Sequence, residues 1–239
     1  MTQQYQTIYE DNNYLIINKP AGLLVHGAEH INEPALSDQL LEKYPELAKI
    51  GEDPSRPGIM HRLDKQVSGL MAIAKTQEAF DHLKKQFKKR TVDKKYIALV
   101  YGRIARDEGV IDFPIERSGR SGRMAALPKT VKGELELRGR RAVTEFEVKQ
   151  RFINYTLLKI KIKTGRTHQI RVHMSAYGHP VVGDDLYGTK KTREKNKKLN
   201  LGRIFLAASE LSFDDLAEKR RHFKAGLPEE LNMFLQKLK

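Results

Sequence analysis

Apolar and polar residues alternate along this chain in short blocks that predict both strands and helices. A short apolar run bounded by turn-forming residues is typical of a buried strand, and strict alternation is typical of a half-exposed strand. These patterns predict strands at 14–18, 69–74, 95–102, 142–148 and 155–163, and a late strand within 204–213.

Apolar residues at helical spacing predict four helices. They occupy 35–44, 77–90 after a capping Thr76, a segment starting near 166 and closed by Gly178, and a final segment after Pro228. The mostly charged segment 189–200 predicts a mobile loop, and the arginine-rich segment 116–141 predicts another loop.

Strands and helices follow one another without a regular strand–helix–strand order. This arrangement predicts an α+β fold with a mainly antiparallel, mixed β-sheet flanked by helices and loops. No composition break marks a linker, so we expect one domain over 1–239, with two subdomains left open.

The chain is strongly basic, with 44 Lys and Arg against 30 Asp and Glu, a formal net charge of +14. Such a balance favours a polyanionic partner and predicts nucleic-acid binding. There is no cysteine, which excludes disulfides, thiol nucleophiles and thiolate metal ligands. No signal peptide and no membrane-spanning apolar run is visible, so we expect a cytoplasmic protein without membrane contact, and we expect it to be a monomer.

The segment His61-Arg62-Leu63-Asp64 places a carboxylate in a basic, glycine-punctuated loop. A carboxylate repels phosphates, so a nucleic-acid binder gains from Asp64 only if it performs chemistry or braces an arginine. Tyr96 on a predicted strand and Arg166 at a predicted helix start are two further candidates. Spacing alone favours structural roles: Asp64 as a turn residue or surface ion-pair partner, Tyr96 as a core tyrosine and Arg166 as a solvent-facing arginine.

Four segments in order resemble the motifs of the RluA family of RNA pseudouridine synthases. They are Asn18-Lys19-Pro20-Ala21-Gly22-Leu23, His61-Arg62-Leu63-Asp64, Lys95-Tyr96-Ile97-Ala98-Leu99-Val100, and Gly165-Arg166-Thr167-His168-Gln169-Ile170-Arg171-Val172-His173. The resemblance runs from about Ile8 to Phe213 and fits a short form that lacks the N-terminal RNA-binding domain of many relatives. Val67 and Gly27 depart from the family pattern, which usually has Thr and often Pro at these positions.

The resemblance implies the pseudouridine synthase fold and one catalytic domain that isomerises uridine within RNA. In this reaction the glycosidic bond to nitrogen breaks, the uracil turns, and carbon 5 is joined to the ribose. No cofactor and no metal is required. Asp64 matches the catalytic carboxylate, and three routes stay open for it: attack on the base, attack on the anomeric carbon, or proton abstraction from the ribose.

The resemblance also implies roles for neighbouring side chains. Arg166 would keep Asp64 ionised, and Arg62 would fill the gap left by the flipped base. Tyr96 would stack on the uracil and could remove the proton from carbon 5. The RNA-binding candidates share positive charge or proximity to Asp64, and they are Arg62, His61, Arg171, Lys88, Lys89 and Arg90. We expect His61, His168, His173 and His179 to have structural roles, since their spacing lacks a zinc pattern.

Two other functions were considered, and one of them stays open. A protein kinase is excluded, because its loop reads H-R-D and needs a D-F-G motif and a glycine-rich phosphate loop, none of which is present. A non-catalytic RNA-binding or RNA-chaperone protein of the same fold would explain the charge without using Asp64. The substrate would be ribosomal RNA, transfer RNA or both.

Overall fold

The computed structural model describes residues 3–27, 33–119, 121–127 and 138–239, and the backbone alone at 130–131 and 134–135. The chain divides into two compact units. One comprises Met1–Lys94 and Ala208–Gly226, and the other comprises Lys95–Ala207 and Leu227–Lys239. A single catalytic domain over 1–239 stays a prediction.

Strands and helices alternate irregularly along the described chain. The strands are β1 (Gln6–Glu10), β2 (Tyr14–Lys19), β3 (Ser68–Ala74), β4 (Asp93–Tyr101), β5 (Glu108–Ile111), β6 (Ile115–Arg117), β7 (Met124–Ala126), β8 (Thr130–Val131), β9 (Glu134–Leu135), β10 (Thr144–Arg151), β11 (Tyr155–Ile162), β12 (Leu206–Asp214) and β13 (Arg220–Lys224). The helices are α1 (Leu36–Lys43), α2 (Gln77–Lys89), α3 (Gln169–Ala176), α4 (Lys190–Leu199) and α5 (Glu229–Gln236), with a 3₁₀ turn at Pro45–Lys49.

The first unit is built on strands in the order β1-β2-β3-β12, with β13 paired to β12. The pairs β1–β2, β2–β3 and β12–β13 are antiparallel. Helix α2 covers this sheet, and its Phe80 and Leu83 join the buried cluster of Tyr14, Leu70 and Phe213. Burial of this apolar stripe supplies most of the stability that a 13-residue helix lacks on its own.

Both ends of α2 are fixed by local chemistry. The Thr76 hydroxyl accepts a hydrogen bond from the Ala79 N–H at 3.2 Å, which caps the N-terminus. Arg90 ends the helix in the left-handed region, with φ of 62°. Near that end, the buried Gln86 amide accepts from the Asp214 N–H (2.8 Å) and donates to the Asp214 carbonyl (2.7 Å). The helix is thereby pinned to the end of β12.

The second unit contains strands in the order β4-β11-β10-β5, and each neighbouring pair is antiparallel. Strand β11 alternates as its sequence predicts, with Leu158 and Ile160 fully buried. Helix α5 packs Leu231 and Phe234 against a cluster that includes Phe205. These pairings confirm the predicted α+β class with a mainly antiparallel sheet.

Two loop predictions were wrong. Segment 190–199 is helix α4, and the segment 116–141 contains parts of short hairpins formed by β6 with β7 and β8 with β9. Arg120, Lys129 and Lys132 of that predicted basic loop lie outside the described residues. Strands β1 and β13 carry too many polar residues to be predicted from hydrophobic periodicity.

Candidate active site

Asp64 lies in the turn that leads into β3. Its carbonyl accepts a hydrogen bond from the Val67 N–H at 3.0 Å, and its side chain is half-buried. Val67, where the family pattern has threonine, is only 2% exposed. Two residues on, Gly69 has φ of 122°, and a Cβ there would collide with the Ala208 backbone. The backbone of the turn that carries Asp64 therefore has little freedom to move.

Lys19 supports this turn through hydrogen bonds from its ammonium to backbone carbonyls. It is fully buried, and its ammonium donates to the carbonyls of Pro20 (2.8 Å), Leu23 (2.8 Å) and Lys65 (3.3 Å). The Gly22 N–H also donates to the Lys65 carbonyl, at 2.7 Å. The Asn-Lys-Pro-Ala-Gly segment and the Asp64 turn are thus held together. No function was predicted for Lys19 from the sequence, although a lysine closing an apolar run before Pro-Ala-Gly was a usable signal.

His61 anchors the other end of the Asp64 segment. Its Nε2 accepts from the Ala72 N–H on β3 at 3.0 Å, and its ring stacks on Phe87 of α2 with centroids 4.9 Å apart. Burial, with a smaller contribution from the Lys94 ammonium, lowers the pKa of His61 to about 3. The imidazole is therefore neutral near pH 7, and the Nε2 acceptor leaves the proton on Nδ1. These contacts are structural, and RNA contact by His61 stays a prediction.

Lys94 packs against the same Phe87 ring as His61. Its ammonium lies 5.3 Å from the centroid of the Phe87 ring, a cation–π distance. Burial lowers the pKa of Lys94 to about 8. Phe87 therefore contacts both the imidazole of His61 and a lysine at the start of β4.

Arg62 is exposed, and its guanidinium donates to Nε2 of His26 at 3.4 Å. Burial, and then the charges of Arg62 and Arg56, lower the pKa of His26. His26 is thus a neutral acceptor for Arg62 near pH 7. The other predicted RNA contacts of this unit share exposure at the C-terminal end of α2: they are Lys88, Lys89 and Arg90.

Tyr96 and Arg166 belong to the second unit. Tyr96 lies on β4 opposite Ile160 of β11 and is 7% exposed. Arg166 precedes α3, and its Nε donates to the Arg141 carbonyl at 3.2 Å. Arg166 as a whole residue is half-buried, and this hydrogen bond lies at the exposed surface.

A buried polar network shapes the loop that carries Arg166. The Gln169 Oε1 accepts from the Arg166 N–H (3.1 Å) and from the Thr164 hydroxyl (2.7 Å). That hydroxyl accepts in turn from the Val143 N–H at 3.0 Å. Gln169 Nε2 then donates to the Val143 carbonyl at 2.9 Å. Thr164 and Gln169, for which no role was predicted from the sequence, therefore fix the backbone of this loop.

The predicted structural histidines of this unit are hydrogen-bonded. His168 bonds the Tyr187 hydroxyl at 2.7 Å, and His179 donates to the Tyr101 carbonyl at 2.8 Å. The fully buried His173 donates to the Phe113 carbonyl at 2.9 Å, and burial lowers its pKa. Within the described ranges, no group of three or more His, Asp or Glu side chains could hold a metal ion.

Arg171 forms a buried ion pair. Its guanidinium donates twice to Asp184, at 2.7 and 3.0 Å, and the two side chains are 8% and 1% exposed. It also lies 5.0 Å from the centroid of the Tyr187 ring. These contacts are structural, and RNA contact by Arg171 stays a prediction.

The predicted residues thus fall into two sets. His61, Arg62 and Asp64 share one braced segment of the first unit, beside α2. Tyr96, Arg166 and Arg171 lie in the second unit, on β4 and around α3.

The sequence profile of the RNA pseudouridylate synthase family matches residues 13–176, which include all six of these residues. The chain belongs to this family. The RluA-type motifs predicted it, and the family assignment is confirmed. Among curated relatives, an uncharacterized RNA pseudouridine synthase of Bacillus subtilis (strain 168) is 38% identical over 97% of this chain and 72% of its own length.

A second relative of the family is the ribosomal large subunit pseudouridine synthase D of Pseudomonas aeruginosa. It is 42% identical over 77% of this chain, and the match spans 54% of that protein. Among solved structures, human RNA pseudouridylate synthase domain containing 4 has a TM-score of 0.78 at 26% identity, covering 98% of this chain and 94% of that chain. The predicted pseudouridine synthase fold is confirmed.

No helix in the described part of the chain has the length and apolar character needed to cross a membrane.

Proposed function

We propose that this protein is an RNA pseudouridine synthase that isomerises uridine within RNA, with Asp64 as the catalytic carboxylate. The reaction is an isomerisation: the bond between the ribose and N1 breaks, a bond to carbon 5 forms, the proton leaves carbon 5 and N1 gains one. A positioned carboxylate can act in it as a nucleophile or as a base.

The observation that carries the proposal is the bracing of the Asp64 turn. A buried ammonium (Lys19), a neutral imidazole (His61) and a glycine pressed against the Ala208 backbone (Gly69) fix the backbone on both sides of the half-buried Asp64. A surface aspartate needs no such support. Preorganisation of this kind is what a catalytic group requires.

We assign Tyr96 and Arg166 to the same reaction. Tyr96 would stack on the uracil and Arg166 would keep Asp64 ionised, as planar guanidinium groups do beside carboxylates. The fixing of the Arg166 loop by Gln169 and Thr164 supports a positioned arginine. Arg62, held by His26, would fill the gap left by the flipped uridine.

We propose ribosomal RNA of the large subunit as substrate. Several relatives in the family are named ribosomal large subunit pseudouridine synthase D. The net charge of +14 fits a polyanionic substrate, and the exposed Lys88, Lys89 and Arg90 would contact its phosphates. Transfer RNA, a monomeric state and a cytoplasmic location stay predictions.

The test is to incubate the purified protein with uridine-labelled transcripts of large-subunit ribosomal RNA and of transfer RNA, and then to map pseudouridine. We expect pseudouridine at one or a few positions of the ribosomal transcript, and loss of the same positions in cells without the gene. Modification of transfer RNA alone would overturn the substrate. Tight binding of both RNAs with no pseudouridine in either would favour the non-catalytic RNA-binding alternative.

A further inference from the structure

Helix α4 carries an unusual concentration of positive charge. Its ten residues, KKTREKNKKL, contain six cations and one carboxylate, a formal charge of +5. Five of the cations are exposed: Lys190, Lys191, Arg193, Lys197 and Lys198. The sixth, Lys195, is half-buried with its ammonium 5.8 Å from the centroid of the Tyr101 ring.

Within the described part of the chain, the salt bridges leave the cations of α4 without a carboxylate partner. Among the described residues, no cation of α4 forms an ion pair with a carboxylate, whereas Lys149 and Lys163 of the same unit pair with Glu147 and Glu145. Like charges three or four residues apart on a helix repel each other. Repulsion between these cations therefore lowers the stability of helix α4.

Two of the cations also lie at the unfavourable end of the helix dipole, whereas Lys197 and Lys198 lie at the favourable end. The first turn of α4 holds Lys190 and Lys191 and has no acidic residue. Cations at a helix N-terminus interact unfavourably with the helix dipole, so these two lysines destabilise α4.

The helix forms nevertheless because its buried face is anchored by polar contacts. Asn196 accepts from the Tyr101 hydroxyl (2.6 Å) and the Gly183 N–H (2.9 Å), and donates to Asp185 (2.8 Å). Thr192, one turn earlier on the same face, is also buried. The Thr189 hydroxyl caps the N-terminus by accepting from the Thr192 N–H at 3.2 Å. The cations are therefore displayed on an ordered helix.

We propose that the exposed face of α4 binds the phosphate backbone of the RNA substrate. Contacts between cations and RNA phosphates do not require one fixed spacing or direction. A row of ammonium and guanidinium groups on an ordered helix can therefore make several of them. Binding phosphate would also relieve the mutual repulsion of the cations. The inference rests on the proposed function for the identity of the polyanion.

The test compares two double variants with the same change in net charge. Lys190→Gln with Lys191→Gln removes two α4 charges, and Lys149→Gln with Lys163→Gln removes two charges that are already ion-paired. The probe is a fluorescent stem-loop of large-subunit ribosomal RNA, titrated by anisotropy between 50 and 200 mM salt. We expect the α4 variant to bind about tenfold more weakly, with a salt slope smaller by about 2, and the control to bind like wild type.

Thermal melting of each variant shows whether weaker RNA binding is caused by loss of folded protein. Because Lys190 and Lys191 oppose the helix dipole, the α4 variant should melt at the same temperature as wild type or higher. Equal weakening by both variants, or wild-type affinity in the α4 variant, would overturn the α4 surface. A wild-type protein that forms no pseudouridine would instead refute the proposed function, and the comparison of the two variants would still decide the surface.

Discussion

The imidazole of His61 stacks on the ring of Phe87, with centroids 4.9 Å apart and ring planes 26° apart. Phe87 belongs to α2, and His61 begins the segment that carries Arg62 and Asp64. The contact therefore joins a basic helix to the proposed catalytic turn. Displacing the ring should disturb both stability and the position of Asp64.

Phe87→Leu should lower the free energy of unfolding by about 0.5–1.5 kcal/mol through loss of the aromatic contact. It should also lower pseudouridine formation more than stability alone explains, because His61 loses its neighbour. Urea unfolding and single-turnover assays measure the two effects. Phe80→Leu is the matched control, since Phe80 lies on the same helix but packs in the core. Equal activity in the two variants would contradict the link.

The low pKa of His61 predicts a pH-dependent stability. Its folded pKa of about 3 lies below the ordinary value near 6.5, so between these values the unfolded chain holds more protons. The contribution of His61 is complete above about pH 6.5 and is lost as the pH falls towards 3, by at most about 1.4 kcal/mol per pH unit.

His61→Gln measures this contribution, because glutamine can accept the Ala72 N–H but does not titrate. We expect the stability advantage of wild type over the variant, from urea unfolding, to shrink between pH 7 and pH 5. His26 and His173 are common to both proteins and cancel. Parallel stability curves would show that the imidazole is not desolvated as described.

Lys19→Met should destabilise the protein by on the order of 3 kcal/mol, since the carbonyls of Pro20 and Leu23 lose the ammonium as donor and the Lys65 carbonyl keeps only the Gly22 N–H. Turnover should fall further than stability predicts, because the Asp64 turn loses its brace. The measurement is single-turnover kinetics at a temperature where circular dichroism shows a folded variant. Lys75→Met is the control: Lys75 bonds Glu10 and the Asp11 carbonyl, away from Lys65. A loss of turnover shared by both variants would speak against a specific brace.

Arg171→Met should lower the free energy of unfolding by about 3–5 kcal/mol, because the buried Asp184 carboxylate loses its guanidinium partner. The double variant Arg171→Met with Asp184→Asn should recover part of this loss, since the stranded charge is gone. RNA affinity of the folded protein should match wild type. Unchanged stability with weakened RNA binding would instead make Arg171 the RNA contact that its sequence motif predicts.

Hydrophobic periodicity predicted those elements whose buried faces are apolar. Strands β2, β3, β4 and β11 and helix α2 fall in this class. Hydrophobic periodicity did not predict helix α4 because its buried positions are the polar Thr192 and Asn196, and Asn196 bonds Tyr101, Gly183 and Asp185 only in the folded chain. Strand β1 was not predicted because its residues are mostly exposed. Its extended conformation is held by backbone hydrogen bonds to β2.

The candidate site divides in the same way. Asp64, Tyr96 and Arg166 were found by motif resemblance, which compares residues and needs no geometry. The supporting residues Lys19, Phe87 and Gln169 act through burial and hydrogen bonds that only the folded chain reveals. A lysine is expected at a surface, so the full burial of Lys19 could not be predicted from its type.

The most direct test of the proposal is the release of tritium from RNA labelled at carbon 5 of uridine, measured with wild-type protein and with Asp64→Asn. Asparagine keeps the size of the side chain but can neither attack nor accept a proton as a carboxylate does. Binding rests on many basic groups, so RNA affinity should stay within about a few fold of wild type. We predict release by the wild type and none above background by the variant. Release by Asp64→Asn near the wild-type rate would contradict the assignment of Asp64 as the catalytic carboxylate.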